Sequence, residues 1–221
     1  MSLYWRRLLL EETVLLTSVV KWSVLATITG VAVGVTGFVF LWLLEQAMRW
    51  STHYSLYFVV LPFALPLVAW LVRSLAPEAE GHGTEKVIEA VHRWDGRINR
   101  KVVPVKLVAT ILTLASGGSA GKEGPCAQIG AGVASMLADW LHLRSELDRR
   151  KVVICGISAG FATVFGTPIA GALFGVEVLY LGELLYYALL PSLLAGVTAY
   201  EVTRGLGLHY FYSPLRKTLV L

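Results

Sequence analysis

Residues Gly117–Gly130 read GGSAGKEGPCAQIG. This stretch lies between two apolar segments, Leu107–Ala115 and Ala127–Leu137. Closely spaced glycines let a backbone turn sharply and approach a ligand, and Pro125 suits the first turn of a helix, where its missing N–H costs nothing. We therefore predict a loop that opens a helix within an apolar environment, with the carboxylate of Glu123 at its mouth.

The start of a helix attracts anions because it carries unpaired N–H groups and a partial positive charge. Glu123 supplies an anion from the protein itself, so an external anion would bind only when this side chain is displaced or protonated. The chemistry alone supports two interpretations about equally: a gated anion site, or an ordinary N-terminal carboxylate stabilised by the helix dipole. A phosphate-binding P-loop is excluded, because Ser116 stands at its first glycine position and Glu123 at its hydroxyl position.

The composition is that of a membrane protein. Of the 221 residues, 56% are hydrophobic and 15% are charged, against about 25% charged in soluble domains. The 7 tryptophans and 9 tyrosines suit interfacial anchors. The net charge of +4 is better explained by cytoplasmic Lys and Arg than by nucleic-acid binding. Cys126 and Cys155 lie in apolar stretches, and no metal, cofactor or enzyme motif is present.

The hydropathy pattern predicts one transmembrane domain over residues 1–221. Residues 1–20 are predicted to form an amphipathic surface helix, with a plain cytoplasmic tail as the alternative. Glu11 and Glu12 interrupt the short Leu run there, which does not fit a cleavable signal peptide. Membrane helices are predicted over residues 21–203 and a tail over 204–221. The first two spans are expected at Trp22–Leu44 and Ser55–Val72.

Several later apolar segments are too short to cross a bilayer. Val102–Ala115 has about 14 residues, where a full span needs about 20, and Ala127–Leu141 is also short. Val152–Val176 is divided by glycines, so we predict a break near Phe165, and Leu184–Val202 forms the final span. Broken helices that meet at mid-membrane are typical of secondary transporters and some channels.

A second glycine loop precedes another short helix. Residues Gly81–His92 read GHGTEKVIEAVH, and Thr84 is a suitable N-cap. His82 has three possible roles, as an anion ligand, a proton carrier or a simple loop histidine, and its spacing alone favours the last. The far end of this segment is basic, which predicts that it lies on the cytoplasmic side. Its basic residues are Arg93, Arg97, Arg100, Lys101 and Lys106. Glu177 is a possible intramembrane acid, either functional or capping a neighbouring backbone N–H.

Three motifs together resemble those of the CLC chloride channels and proton-coupled chloride transporters. Gly121–Pro125, GKEGP, resembles that family's G(K/R)EGP signature, and Gly81–Glu85, GHGTE, resembles its GSGIP loop. Gly160–Glu177, GFATVFGTPIAGALFGVE, resembles its GxxAAFxxPxxGxLFxxE segment. The resemblance covers residues 15–200, and it implies an all-α membrane fold of tilted, broken helices that forms one half of an inverted repeat.

The resemblance also implies roles for individual residues. Glu123 would be a gating carboxylate in the anion path, and Lys122 would shape the electrostatic entrance or simply snorkel at the interface. The residues expected to contact the anion are Gly81, His82, Gly83, Thr84, Gly121, Lys122, Gly124, Cys126 and Ala127. The implied partners are chloride or a similar small anion, membrane lipid, and either a copy of the chain in a homo-oligomer such as a homodimer or a complementary second half.

Some features depart from the family pattern. The sequence contains no match to the second half's GxFxP helix start or its pore tyrosine, so the chain is a truncated piece, one partner of a split protein, or a half that assembles with copies of itself. His82 replaces the family's anion-binding serine. Val178 stands where proton-coupled members carry a second acid, which favours passive or gated conduction of chloride or a similar small anion. The expected location is a prokaryotic plasma membrane. Proton-coupled antiport and a non-conducting structural or regulatory subunit remain the alternatives.

Overall fold

The computed structural model describes residues 2–179, 185–208 and 210, with side chains described from residue 16 onward. These residues form eight α-helices and no strand. The helices are α1 (Ser2–Ser51), α2 (Leu61–Leu75), α3 (Thr84–Arg93), α4 (Val102–Ala115), α5 (Glu123–Trp140), α6 (Glu146–Phe165), α7 (Pro168–Glu177) and α8 (Tyr186–Gly205). Short 3₁₀ turns cover Tyr57–Val60 and Pro77–Ala79. The predicted tail lies mostly outside the described residues.

Two helical stretches are long and apolar enough to cross a membrane by length and composition, Leu16–Ser51 and Tyr57–Leu75. α1 continues without a break through residue 20, where the sequence predicts the end of a surface helix and the beginning of the first span. The position of the membrane surface along α1 therefore stays a prediction. Glu45, near the end of this helix, is exposed and pairs with Arg49 at 2.6 Å.

One of the two predicted short helices is confirmed, whereas the other, expected at Ala127–Leu141, begins already at Glu123 and has 18 residues as α5. α4 has the predicted bounds and 14 residues, which is about 21 Å at 1.5 Å per residue, well short of a bilayer core of about 30 Å. The break near Phe165 is also confirmed. Gly166 ends α6 in the left-handed conformation with φ 67°, which glycine adopts without a steric penalty, and Pro168 begins α7.

The centre of the fold is α6, which packs against α1, α5, α7 and α8. Glycines bring these backbones together. A Cβ at Gly156 would lie 2.5 Å from the carbonyl oxygen of Gly130 on α5. The spacing of Gly30, Gly34 and Gly37 predicts close helix packing on one face of α1. This is confirmed, since a Cβ at Gly30 would lie 2.6 Å from the carbonyl oxygen of Ala195 on α8. Contacts this close are typical of membrane helices, where small residues allow the backbones to approach.

Charged residues tie several helix ends together away from the glycine loops. Arg149, which is 8% exposed, donates to Asp139 at 2.5 Å, and Arg150 donates to Asp95. The mixed charges of Arg144–Lys151 predict a solvated loop, and this prediction is wrong for the part around Arg149. It forms the start of α6, where the Ser145 hydroxyl accepts from the Asp148 N–H.

Candidate anion-binding site

The two glycine loops predicted from the sequence meet in the fold. A Cβ at Gly124, at the start of α5, would collide with the carbonyl oxygen of His82. A Cβ at Gly83 would lie 2.9 Å from the carbonyl oxygen of Gly124, and the φ of 100° at Gly83 lies in a region that favours glycine. The packing therefore requires glycine on both sides of the contact and joins two segments about 40 residues apart in the chain.

The caps of these two helices differ in part from the sequence prediction. Gly83, not Thr84, is the N-cap of α3, and Thr84 is the first helical residue. Gly83 occupies the non-helical position before it, with a positive φ. Lys122 is the N-cap of α5 and makes no side-chain capping bond, so no side chain of the described residues caps this helix start.

The available N–H groups of α5 belong to its first two residues. The first amide groups of a helix have no partner within it, and Pro125 has no N–H at all. Cys126, which was expected to offer its N–H to an anion, donates it to the carbonyl of Lys122 at 3.1 Å. Cys126 and Ala127 are also buried, so the groups best placed for an anion are the N–H groups of Glu123 and Gly124.

The Glu123 side chain folds back over its own helix start. A Cβ at Gly121 would collide with Glu123 Oε2, so the absence of a side chain at Gly121 makes room for the carboxylate. Glu123 is partly buried, and its carboxylate forms neither a hydrogen bond nor an ion pair with any residue in the described part of the chain. The carboxylate therefore lies against Gly121 at the start of α5, and no other side chain of the described residues fixes it there.

Both loops open into one cavity of about 850 Å³. Its lining includes six of the predicted residues, namely Gly81, His82, Thr84, Gly121, Glu123 and Gly124. Three further charged residues line it: Arg73 on α2, Lys106 on α4, and Glu80 in the loop before α3. The opposite wall is apolar: Phe161 and Phe174 stack with ring centroids 3.6 Å apart, and Val178 lies beside them.

Lys106 belongs to this site, although the sequence pattern groups it with the basic residues that predict a cytoplasmic side. It is 4% exposed, and its ammonium donates to the carbonyl oxygens of Ala79 at 3.0 Å and Gly81 at 2.7 Å. It makes no ion pair with a carboxylate of the described residues. A buried cation without a counter-charge costs free energy, and an anion in the cavity would offset that cost. The sequence signal that could have indicated this role is that Lys106 is the one charged residue of the 14-residue segment Val102–Ala115.

Gln128 of α5 binds the same loop, before α3, that Lys106 of α4 binds. It is 2% exposed, and its side-chain amide donates to the carbonyl of Glu78 at 2.8 Å. Its Oε1 atom lies 2.9 Å from the place where a Cβ of Gly83 would stand and has no hydrogen-bond partner. The segment from Glu78 to Gly83 is thus held between α4 and α5, by Lys106 and Gln128 respectively.

Two predicted residues lie away from these contacts. Lys122 is exposed, consistent with either an entrance charge or a snorkelling lysine. Glu177 is exposed at the end of α7 and has no hydrogen bond or ion pair to a described residue, so the suggested capping of a backbone N–H is not seen.

Cys126 and Cys155 are buried free thiols. Among the described residues, no group of three or more His, Cys, Asp or Glu side chains could hold a metal ion.

Comparison with known proteins identifies the class. The family profile described as "Voltage gated chloride channel" matches residues 63–219. The chain is 36% identical over 203 residues to a "Chloride/fluoride channel protein" of Pseudomonas syringae pv. tomato, covering 90% of this chain and 44% of that protein. It is 31% identical over 174 residues to the H(+)/Cl(−) exchange transporter ClcA of Cronobacter sakazakii, covering 69% of this chain and 35% of that one.

Solved structures agree with these relatives. The crystal structure of a CLC-type fluoride/proton antiporter has a TM-score of 0.83 and 31% identity, over 92% of this chain and 51% of the other. That of a slow cyanobacterial Cl−/H+ antiporter has a TM-score of 0.70 and 27% identity, over 85% and 47%.

The fold and the matches define an integral membrane protein whose described residues are helical, without a strand. The chain belongs to the CLC family. It spans less than half the length of the curated relatives it matches.

Proposed function

We propose that this chain forms one half of an anion pathway for chloride or a similar small anion, with Glu123 as its gate. The observation that carries this proposal is the position of Glu123: its carboxylate lies against Gly121 at the start of α5, and the residue lines the same cavity as buried Lys106. An anion entering this place competes directly with the carboxylate. Protonation of Glu123, or rotation of its side chain away from Gly121, would leave the N–H groups to the anion.

The anion is proposed to bind mainly through backbone groups and helix ends. The cavity presents N–H groups of α5 and the start of α3, both of which carry partial positive charge. Lys106 adds a full charge and fixes the carbonyl of Gly81 away from the anion. The apolar wall of Phe161, Phe174 and Val178 lowers the local dielectric, which strengthens the attraction between an anion and these dipoles.

The type of transport is proposed from the same cavity. Val178 lines it as an apolar side chain and cannot relay a proton, which favours passive or gated conduction over proton-coupled exchange. One relative is named a chloride/fluoride channel, whereas others are named proton antiporters for chloride or fluoride. Both anions are therefore candidates, and antiport is the alternative mechanism. We place the protein in a prokaryotic plasma membrane.

The chain is proposed to work with a complementary half, supplied either by a second copy or by another segment. The cavity is lined here by one half-repeat only, and an anion held from one side would keep part of its hydration shell. The remaining alternative, a non-conducting structural or regulatory subunit, would leave the cavity without transported anions.

The test is anion efflux from liposomes that hold only this chain, for chloride and for fluoride, with wild type, Glu123→Gln and Glu123→Ala compared. We expect efflux that depends on pH in the wild type and loses that dependence in both variants. Glu85→Gln is the matched control, because Glu85 also lies in the first turn of a helix but is exposed. Variants that transport with the wild-type pH dependence would refute the gate.

The same preparation tests the assembly. A stable homo-oligomer together with efflux would support a pore made from copies of this chain. An isolated monomer with no efflux of either anion, but with wild-type folding, would favour the structural subunit.

A further inference from the structure

We propose that Lys21 and Lys151 bind the phosphate of an anionic membrane phospholipid, on the surface where α1 passes the starts of α6 and α8. This site is separate from the anion cavity. It depends on the membrane class of the protein and not on the proposed Glu123 gate.

Two lysines from different helices meet at one tryptophan. Lys151 of α6 places its Nζ 4.0 Å from the centre of the Trp22 ring of α1, and Lys21 Nζ lies 5.4 Å from the ring of Trp22 as well. Trp22 is 8% exposed and packs among buried apolar residues of α5 and α6. The two ammonium groups are therefore held on one small area by a ring that is itself fixed by packing.

One carboxylate stands against these two positive charges. Lys21 pairs with Asp148 at 2.5 Å, whereas Lys151 makes no hydrogen bond or ion pair with any group in the part of the chain that the structure describes. Lys151 Nζ also lies 5.1 Å from the ring of Tyr187 on α8. Aromatic rings attract an ammonium, yet they supply no acceptor oxygen for its three N–H donors. The cluster therefore has an excess positive charge and donors for an oxyanion.

The surroundings of the cluster are apolar. Exposed hydrophobic side chains lie three or four residues from its members, and hence on the same helix faces, namely Val24 of α1, Leu147 of α6 and Leu190 of α8. Exposed Tyr186 and Tyr187 begin α8, and tyrosine is enriched where a bilayer meets water. A phosphate at the two lysines is therefore expected to belong to a lipid headgroup, with its acyl chains along these side chains.

The side of the membrane also fits an anionic lipid. Arg150, next to Lys151, donates from Nε to Asp95 Oδ1 at 3.1 Å, which joins the start of α6 to the turn after α3. That turn belongs to the basic segment from Arg93 to Lys101, which predicts the cytoplasmic side. Anionic lipids give the cytoplasmic leaflet its negative surface potential, and basic pockets between membrane helices on that side bind phosphate headgroups.

The experiment reconstitutes the full chain in phosphatidylcholine vesicles with increasing fractions of phosphatidylglycerol brominated on its acyl chains, and it measures the quenching of tryptophan fluorescence. Bromine quenches only at short range, so the part of the quenching that disappears in Trp22→Phe reports lipid at this site. The same titration with brominated phosphatidylcholine gives the reference. We expect half-maximal quenching of this part at an about fivefold lower fraction of phosphatidylglycerol, the factor expected for one lysine beside an anionic surface.

Variants of Lys151 test whether its charge causes the preference. Lys151→Gln should remove the preference for phosphatidylglycerol while leaving the pair of Lys21 and Asp148 intact, and Lys151→Arg should keep it. Lys101→Gln is the matched control, because Lys101 is exposed immediately before α4 and loses the same formal charge. Equal quenching by the two lipids in the wild type, or an equal loss of preference in Lys151→Gln and Lys101→Gln, would overturn the proposal.

Inorganic phosphate separates the two sources of this chemistry. Compared with sodium chloride at the same ionic strength, it should leave the preference for phosphatidylglycerol unchanged. If inorganic phosphate abolishes the preference, the site takes free phosphate and the lipid proposal fails. These measurements do not depend on anion transport, so a failure of the Glu123 gate in the efflux assay would leave this inference standing.

Discussion

The buried ammonium of Lys106 donates to the carbonyl oxygen of Gly81 at 2.7 Å. This hydrogen bond connects the middle of α4 to the loop that precedes α3, across 25 residues of sequence. It turns one carbonyl of the loop toward a cation, and the following residues, His82 and Gly83, then pack against the start of α5. Lys106 thus helps to hold the loop at the cavity, together with Gln128 and the contact with Gly124.

Replacing Lys106 should weaken the anion site more than it weakens the fold. In Lys106→Met, the chain keeps a side chain of similar length but loses the charge and both bonds to carbonyls. We expect anion affinity to fall about tenfold or more, since a hydrogen-bonded charged group contributes about 1.5–3 kcal/mol. Titration calorimetry with fluoride and chloride measures this effect.

Lys101→Met is the control for Lys106→Met, because Lys101 is exposed immediately before α4. It removes the same formal charge without touching the loop. Equal losses of affinity in the two variants would mean that net charge matters and that the bond to Gly81 does not.

Gly124→Ala should separate the two loops. The new methyl group would collide with the carbonyl oxygen of His82, and neither backbone can move without disturbing α5 or the bond from Lys106. Inserting a methyl group into such close packing typically costs about 1–3 kcal/mol. We expect a lower thermal midpoint in detergent together with loss of anion binding.

The comparison for this variant is Gly205→Ala, at the end of α8, where nothing lies within 4 Å of the added Cβ. Alanine is the better helix former, so its thermal midpoint should be unchanged or slightly higher. If Gly124→Ala behaves in the same way as Gly205→Ala, the close contact between the loops does not exist in solution.

Gly30→Ala should destabilise the contact between α1 and α8 without affecting the anion site directly. Its Cβ would lie 2.6 Å from the Ala195 carbonyl oxygen and 2.8 Å from Thr198 Cβ, so the helices must move apart. We expect a lower thermal midpoint, at a cost of about 1–3 kcal/mol, and an anion affinity close to wild type in the molecules that remain folded. A loss of affinity as large as that of Lys106→Met would show that the site depends on this distant packing.

Much of the helical pattern could be predicted from local sequence. The bounds of α4 follow from an apolar run between a basic turn and a glycine loop, and the break after Phe165 follows from Gly166 and Pro168. These signals act over a few residues, through backbone preferences and hydrophobic length. The N-cap of α3 was predicted one residue late, because glycine and threonine are both acceptable there and the contact with α5 decides in favour of Gly83.

Long-range contacts explain the parts that local reasoning missed. Lys106 looked like one of several basic residues, since sequence contains no direct record that it is 4% exposed and bonded to Gly81. The case of Cys126 is local instead: this residue was expected to contact an anion, but its N–H forms an i→i−4 hydrogen bond of α5 with the Lys122 carbonyl. Arg149 lay in a charged run that resembled a loop, yet its pairing with Asp139 buries it at the start of α6.

The sequence by itself determined that this is a helical membrane protein with two glycine loops at helix starts and a carboxylate at one of them. Glycine, proline and apolar length act locally, so they are readable in the chain. Only the tertiary structure brought the two loops together, bonded Lys106 to one of them and placed both His82 and Glu123 on the lining of one cavity. Those relationships depend on close contact between backbones distant in sequence, and such contact arises only when the helices pack.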